Sequence, residues 1–133
     1  MAAAEGVRVL EDGRVMDKFN IAIALNEGNT NSVIAPHFGR SEYFLLYSSE
    51  QSKSTIVKNP YCKIMGGAGI QAAQFLIEKD IDVIIVGQVG TNAYVILESA
   101  GIKVIYESEK TAEVALKDFV RREIKEMKTK IHS

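Results

Sequence analysis

Two glycine-rich segments are the parts of this chain whose residue types and spacing could do chemistry. The first holds Gly66, Gly67 and Gly69 directly before a helical pattern, and the second holds Gly87 and Gly90 before the next one. The N–H groups at a helix N-terminus are unpaired and carry partial positive charge, so they favour anions. Glycine also lets a ligand approach the main chain closely. The sequence therefore predicts anion binding at both segments, although such glycines can also serve the turn alone.

These glycines fit neither of the two common nucleotide-binding glycine motifs. Gly67, Gly69 and Ala72 fit the spacing of a dinucleotide-binding fingerprint, but residues 59–65 before them lack the pattern of a strand. The chain also contains no Gly-Lys-Ser or Gly-Lys-Thr sequence, which a phosphate-binding loop of that class requires.

A histidine and two sulfur side chains are the candidate metal ligands. His37 lies in a loop close to Arg40, where an imidazole can bind an anion, ligate a metal or make a local structural hydrogen bond. Cys62 and Met65 precede the first glycine segment, and their soft sulfur atoms suit copper or an iron–sulfur species. Cysteine and methionine are also, and more often, found as buried hydrophobic residues. If a cluster binds, a Cys62 thiolate is expected to hold it more strongly than His37.

The usual catalytic arrangements are missing from the sequence. The chain has one cysteine and two histidines, and His132 lies next to the end of the chain. Cys62 and His37 alone cannot build a closed zinc site or a four-thiolate cluster site. There is no Gly-x-Ser-x-Gly elbow, and no acidic residue forms a recognisable pair. We therefore predict a binding protein without catalytic residues rather than an enzyme.

The elements that must position these residues follow from the apolar pattern. Near-continuous apolar runs predict strands at residues 19–25, 43–47, 55–58, 82–86 and 102–106. A short polar turn between the second and third strands predicts antiparallel pairing. The alternation of helix and strand from Gly66 onward predicts parallel strands with helical crossovers. The last helix is predicted to bury one apolar stripe, formed by Leu116, Val120, Ile124, Met127 and Ile131.

Size and composition predict one soluble α/β domain in the cytoplasm. The 133 residues suit a single domain, and a net charge of −1 gives no field that would attract nucleic acid or a membrane. A single cysteine excludes an internal disulfide, and no apolar run approaches the length of a membrane span. Residues 1–18 are predicted to be an extension or a hairpin around Glu11-Asp12-Gly13. Alternatively, Met16 is the natural start.

An ordered series of motifs resembles a known family. It runs through Ile21-Ala22-Ile23-Ala24, His37-Phe38-Gly39-Arg40-Ser41, Asn59-Pro60, Gly66-Gly67-Ala68-Gly69, Asp82-Val83-Ile84-Ile85-Val86-Gly87-Gln88-Val89-Gly90-Thr91-Asn92 and Gly101-Ile102-Lys103-Val104. Residues 19–116 thereby resemble the dinitrogenase iron–molybdenum cofactor biosynthesis family.

The resemblance implies a fold and a ligand. The fold is a three-layer α/β domain over residues 19–130, with a ribonuclease H-like motif and a mixed sheet of about five strands carrying helices on both faces. The ligand is an iron–sulfur or molybdenum-containing cluster, or its precursor, and cluster delivery would involve a protein partner. The implied ligand-binding residues are His37, Phe38, Gly39, Arg40, Gly66, Gly67, Gly69, Gly87, Gly90 and Asn92.

One position departs from the family pattern, and two other functions remain open. Met65 stands where many members have a histidine, which leaves His37, Cys62 and Met65 as the metal-ligand candidates. The first alternative is a regulatory or interaction domain that binds a simple anion or a protein partner. The second is an enzyme that uses His37 as an acid or base.

Overall fold

The computed structural model describes the main chain of residues 18–132 and the side chains of residues 18–123. The described strands are β1 (Asn20–Leu25), β2 (Tyr43–Ser48), β3 (Lys53–Lys58), β4 (Val83–Val86) and β5 (Lys103–Tyr106). The helices are α1 (Ala68–Glu78), α2 (Thr91–Ser99) and α3 (Ala112–His132). All five predicted strands are therefore present. The hairpin predicted around Glu11-Asp12-Gly13 lies outside the described residues.

The five strands form one mixed sheet in the order β3-β2-β1-β4-β5. β2 pairs antiparallel with both β1 and β3. The short turn between β2 and β3 accounts for the second of these pairings. β1, β4 and β5 run parallel because a helix crosses over between successive parallel strands. This confirms the predicted mixed sheet and its parallel half.

Helices cover both faces of the sheet and bury β1 from Ile21 to Leu25. Ala22 and Ala24 of β1 belong to the core under α1 and α2, whereas Ile21 and Ile23 belong to the core under α3. All four side chains have no exposed surface, which explains why β1 is apolar at nearly every position. The predicted three-layer arrangement is therefore confirmed.

The buried face of α3 includes Leu116 and Val120 of the predicted stripe, which pack half-buried against the core, while Ile124, Met127 and Ile131 lie outside the described side chains. The most deeply buried of the described α3 side chains are Ala112, Ala115 and Phe119. The alanines leave room for α3 to approach the sheet, and the Phe119 ring meets Phe19 edge-on at 5.8 Å between centroids. The stripe prediction favoured the largest aliphatic residues and therefore missed this contact.

Among the described residues, no helix is long and apolar enough to cross a membrane.

Candidate functional site

The candidate site lies where the strand connections of the sheet diverge. From β1 the chain continues towards β2 on one side of the sheet, while from β4 it continues towards β5 on the other side. In open α/β sheets, such a switch point leaves a crevice outside the carboxyl ends of the two parallel strands. The loop that carries His37 passes this point, since His37 pairs with Gln88 in a short parallel bridge just after β4.

A cleft of about 480 Å³ opens at this edge of the sheet. It is bordered by the His37 loop, by the first turn of α1 and by the first turn of α2. The lining residues are His37, Phe38, Gly39, Arg40, Gly67, Ala68, Gly69, Ile70, Gln88, Val89, Gly90, Thr91, Asn92 and Ala93. Eight of the ten sequence-predicted ligand-binding residues are therefore brought together, and only Gly66 and Gly87 fall outside the lining.

His37 is held by its main chain rather than by its side chain. Phe38 N donates to Gln88 O at 3.0 Å, which anchors the loop to the residue that follows Gly87. The Phe38 ring is buried against Phe44, with 5.7 Å between centroids. The exposed imidazole of His37 makes no hydrogen bond to any other described residue, so its two nitrogens can serve a ligand.

Two glycines allow close contacts between the segments that build the cleft. A Cβ at Gly39 would lie 2.6 Å from the Gly69 nitrogen, and a Cβ at Gly87 would lie 2.7 Å from the Pro36 Cα. Neither distance is sterically possible, so any side chain at these positions would push the segments apart. Gly87 thus shapes the cleft without lining it, and Gly39 brings the His37 loop onto the start of α1.

The two helix N-termini at the cleft use glycine differently. Gly67 precedes α1 in the left-handed conformation, with φ 75° and ψ 14°, which disfavours other residues. Gly90 precedes α2 in an extended conformation that any residue can adopt, and nothing lies within 4 Å of a Cβ placed there. No side chain caps either helix. The first N–H groups of both helices therefore remain open to a ligand.

Arg40 lines the cleft but is also bound to the neighbouring loop. Its Nη1 donates to Ile64 O at 2.6 Å and to Cys62 O at 3.1 Å. Both acceptors belong to the segment between β3 and α1. Arg40 was predicted as an anion-binding residue, and the partners that the structure gives its guanidinium are these two main-chain carbonyls.

The two predicted sulfur ligands do not line the cleft. Cys62 is half-buried in the loop held by Arg40, and Met65 is 93% exposed. Among the residues with described side chains, no three His, Cys, Asp or Glu residues are grouped as a metal site would require. His37 is therefore the one candidate ligand that the described fold places at the cleft.

Sequence reasoning missed several lining residues, above all Gln88 and Thr91. Gln88 follows Gly87 at the end of β4, and Thr91 is the first residue of α2. Their position directly after a predicted strand and directly before a predicted helix was a usable signal, because such loops meet at the ligand edge of an open sheet.

The fold and the cleft define a small three-layer α/β domain with a ligand site at its switch point. Residues 20–122 match the model of the dinitrogenase iron–molybdenum cofactor family. Because this match spans most of the chain, the chain belongs to that family.

Individual proteins are similar to this chain over most of its length. The apo form of the orange protein from Desulfovibrio gigas superposes with a TM-score of 0.72 and 29% identity, covering 78% of this chain and 88% of that protein. The NMR structure of a NifB-like Thermotoga protein of the DUF35 family gives a TM-score of 0.67 and 30% identity, covering 77% and 88% of the two chains. An uncharacterized protein of Methanocaldococcus jannaschii is 28% identical over 93 residues, which are 68% of this chain and 79% of that protein.

Proposed function

We propose that this protein is a small binding or carrier domain whose cleft holds an anionic metal cluster or a precursor of one. The observation that carries the proposal is the convergence of two uncapped helix N-termini and the His37 loop on one cleft. Partial positive charges at both helix ends and the Arg40 guanidinium favour a negatively charged ligand.

The chemistry of the cleft suits binding better than turnover. Of its lining residues, only His37 and Arg40 are ionisable, so the described side chains supply no second group to complete an acid–base pair with His37. Main-chain N–H groups and the side chains of Gln88, Thr91 and Asn92 provide hydrogen bonds instead.

A cluster is supported as cargo by membership of the iron–molybdenum cofactor family. A sulfide-bridged cluster is anionic and presents many hydrogen-bond acceptors, so it can be held with few direct protein ligands. The cleft fits this mode, because it offers one imidazole and many hydrogen-bond donors. A protein partner that delivers or receives the cluster is part of the same proposal.

Anion binding is tested by thermal melting in different salts. Sulfate or phosphate should raise the melting temperature more than chloride does at matched ionic strength. At ten times the dissociation constant, mass action adds about 1.4 kcal/mol, which corresponds to a shift of several degrees. Gly90→Val should abolish the difference and leave the fold intact, because the extended backbone accepts valine and its side chain would occupy the cleft.

The matched control is Ser54→Val on the exposed edge strand β3. This variant adds the same type of side chain far from the cleft, so it should keep the sulfate response. Equal responses of the wild-type protein to all three anions would contradict anion binding and leave the glycines with a turn role only.

Cluster binding is tested by reconstitution with an iron–sulfur or molybdenum–sulfur precursor, followed by desalting. The measurement is metal retained per chain. The cleft geometry reverses the order expected from ligand strength alone, because His37 lines the cleft and Cys62 does not. His37→Ala should therefore lose more metal than Cys62→Ala.

Two outcomes would change the proposal. If the wild-type protein and both variants retain the same trace of metal, cluster carriage is wrong, and a simple anion or an acidic partner is the ligand. If Cys62→Ala loses more metal than His37→Ala, the loop with Cys62 must rearrange to reach the cluster.

A further inference from the structure

The loop between β3 and α1 is held against the His37 loop by two side chains. It spans residues 59–67 and ends in the glycine that precedes α1. Its internal main-chain hydrogen bonds are long, at 3.4 Å from Cys62 N to Asn59 O and 3.3 Å from Ile64 N to Tyr61 O. Outside these, the main chain is tied at the start of the loop by Asn59 N, which donates to Glu42 O at 2.9 Å. The side-chain hydrogen bonds that fix the loop come from Arg40 and from Asn59.

Arg40 contributes the hydrogen bonds at the middle of this loop. One nitrogen, Nη1, donates to the carbonyl oxygens of Cys62 and Ile64, which are two residues apart in the chain. The donor is charged, and charge-assisted hydrogen bonds are stronger than neutral ones. Arg40 itself follows Gly39, whose main chain touches the start of α1. The guanidinium therefore ties the loop to the segment that carries His37.

Asn59 contributes the hydrogen bonds at the start of the loop. It is almost fully buried, and its Nδ2 donates to Ser41 O at 2.8 Å and to Gly39 O at 3.3 Å. Its Oδ1 accepts from Tyr61 N at 3.0 Å. Arg40 and Asn59 thus make reciprocal links, one from the His37 segment to the loop and one from the loop to the His37 segment.

We propose that Arg40 and Asn59 are positioning residues, which fix residues 59–67 and thereby set the position of Gly67 at the cleft. Arg40 acts through the geometry of its hydrogen bonds to the two carbonyls and not through its charge alone. This inference rests on the proposed function in one respect, since a set position of Gly67 affects a ligand only if the cleft binds one.

Lysine and arginine distinguish geometry from charge at this position. A lysine keeps the positive charge, but its ammonium is a compact point charge on a flexible stem and lacks the planar fork of a guanidinium. If geometry is the role of Arg40, Arg40→Lys should behave like Arg40→Gln. If charge is the role, Arg40→Lys should behave like the wild-type protein.

Cys62 provides a readout that needs no ligand. It is the only cysteine in the chain and lies half-buried in the loop that Arg40 holds. Its rate of modification by a chromogenic disulfide reagent should rise roughly tenfold in Arg40→Lys and Arg40→Gln, the scale expected for losing a charge-assisted hydrogen bond. Arg122→Lys, on the exposed surface of α3, is the matched control and should leave the rate unchanged. Circular dichroism melting shows whether each variant is folded.

The sulfate-induced rise in melting temperature gives the second readout. Both Arg40 variants should lose most of this rise. The inference would be overturned if Arg40→Lys kept both the Cys62 modification rate and the sulfate response of the wild-type protein. The role of Arg40 would then be its positive charge. Faster modification in both variants without a sulfate response in the wild-type protein would support the positioning role and reject the proposed anion site.

Discussion

Asp82 is a nearly buried carboxylate directly before β4, at the opposite end of the sheet from the cleft. Only 6% of its surface is exposed, and its Oδ2 accepts a hydrogen bond of 2.7 Å from Asn20 N. Burial raises the pKa of Asp82, partly offset by this hydrogen bond, and the charge of Asp80 raises it further. The native protein therefore binds a proton at the Asp82 carboxylate more tightly than the unfolded chain does.

The sign of the resulting pH dependence follows from that difference. Between the ordinary pKa of an aspartate and the raised pKa of Asp82, the native state holds more protons than the unfolded state, so stability falls as pH rises. Asp82→Asn removes the charge and keeps an acceptor for Asn20 N–H. The variant should be more stable than the wild-type protein near neutral pH, and the gap should narrow on acidification.

Urea unfolding at a series of pH values measures the difference in the free energy of unfolding between Asp82→Asn and the wild-type protein. Glu98→Gln, on the exposed surface of α2, is the control and should show no comparable change. An Asp82→Asn variant that is less stable at neutral pH would mean that the charged form of the hydrogen bond outweighs the cost of burial.

At the scale of elements, the position of α3 on the sheet depends on Phe119. Phe119 is 4% exposed and contacts Phe19 edge-on, whereas Leu116 is half-buried beside it. Replacing a buried phenylalanine with alanine removes its burial energy and leaves a cavity, at a cost of about 3–5 kcal/mol. A half-buried leucine loses less because part of its surface is already in water.

We therefore expect Phe119→Ala to lower the free energy of unfolding clearly more than Leu116→Ala does. Chemical denaturation of the two variants and the wild-type protein measures both effects. A larger loss in Leu116→Ala would contradict the packing described for α3 and favour the aliphatic stripe predicted from the sequence.

At the scale of the whole molecule, the described core is complete without a ligand. Two apolar clusters, one on each face of the sheet, are built from side chains of the strands, the helices and the segments that connect them. No buried side-chain polar atom among the described residues lacks a hydrogen-bond partner. Nothing in this core therefore requires a metal to offset a buried charge.

Metal-free protein should accordingly fold. After treatment with a chelator, the protein should melt in one cooperative transition, as expected for a single domain of this size. Calorimetry or circular dichroism before and after chelation measures this. Loss of the transition after chelation would show that a bound metal supports the fold.

The sequence by itself determined the elements of this fold and the residue types of the site. Strand positions followed from the buried apolar runs, since a strand such as β1 can be apolar at nearly every position only between two layers of helices. The glycines before α1 and α2 were visible because a helix N-terminus exposes N–H groups wherever it occurs. These properties are local, so they can be predicted from neighbouring residues in the chain.

Only the tertiary structure decided which of these residues meet. The sequence placed Cys62 and Met65 beside the first glycine segment, but neither lines the cleft, and Arg40 donates to two main-chain carbonyls of their loop. Gln88 enters the cleft because Gly87 allows β4 to approach Pro36. In α3, two alanines and Phe119 are buried more deeply than Leu116 and Val120 of the predicted stripe. Such contacts join residues far apart in the chain, and their geometry depends on how closely two main chains can approach, which local pattern does not encode.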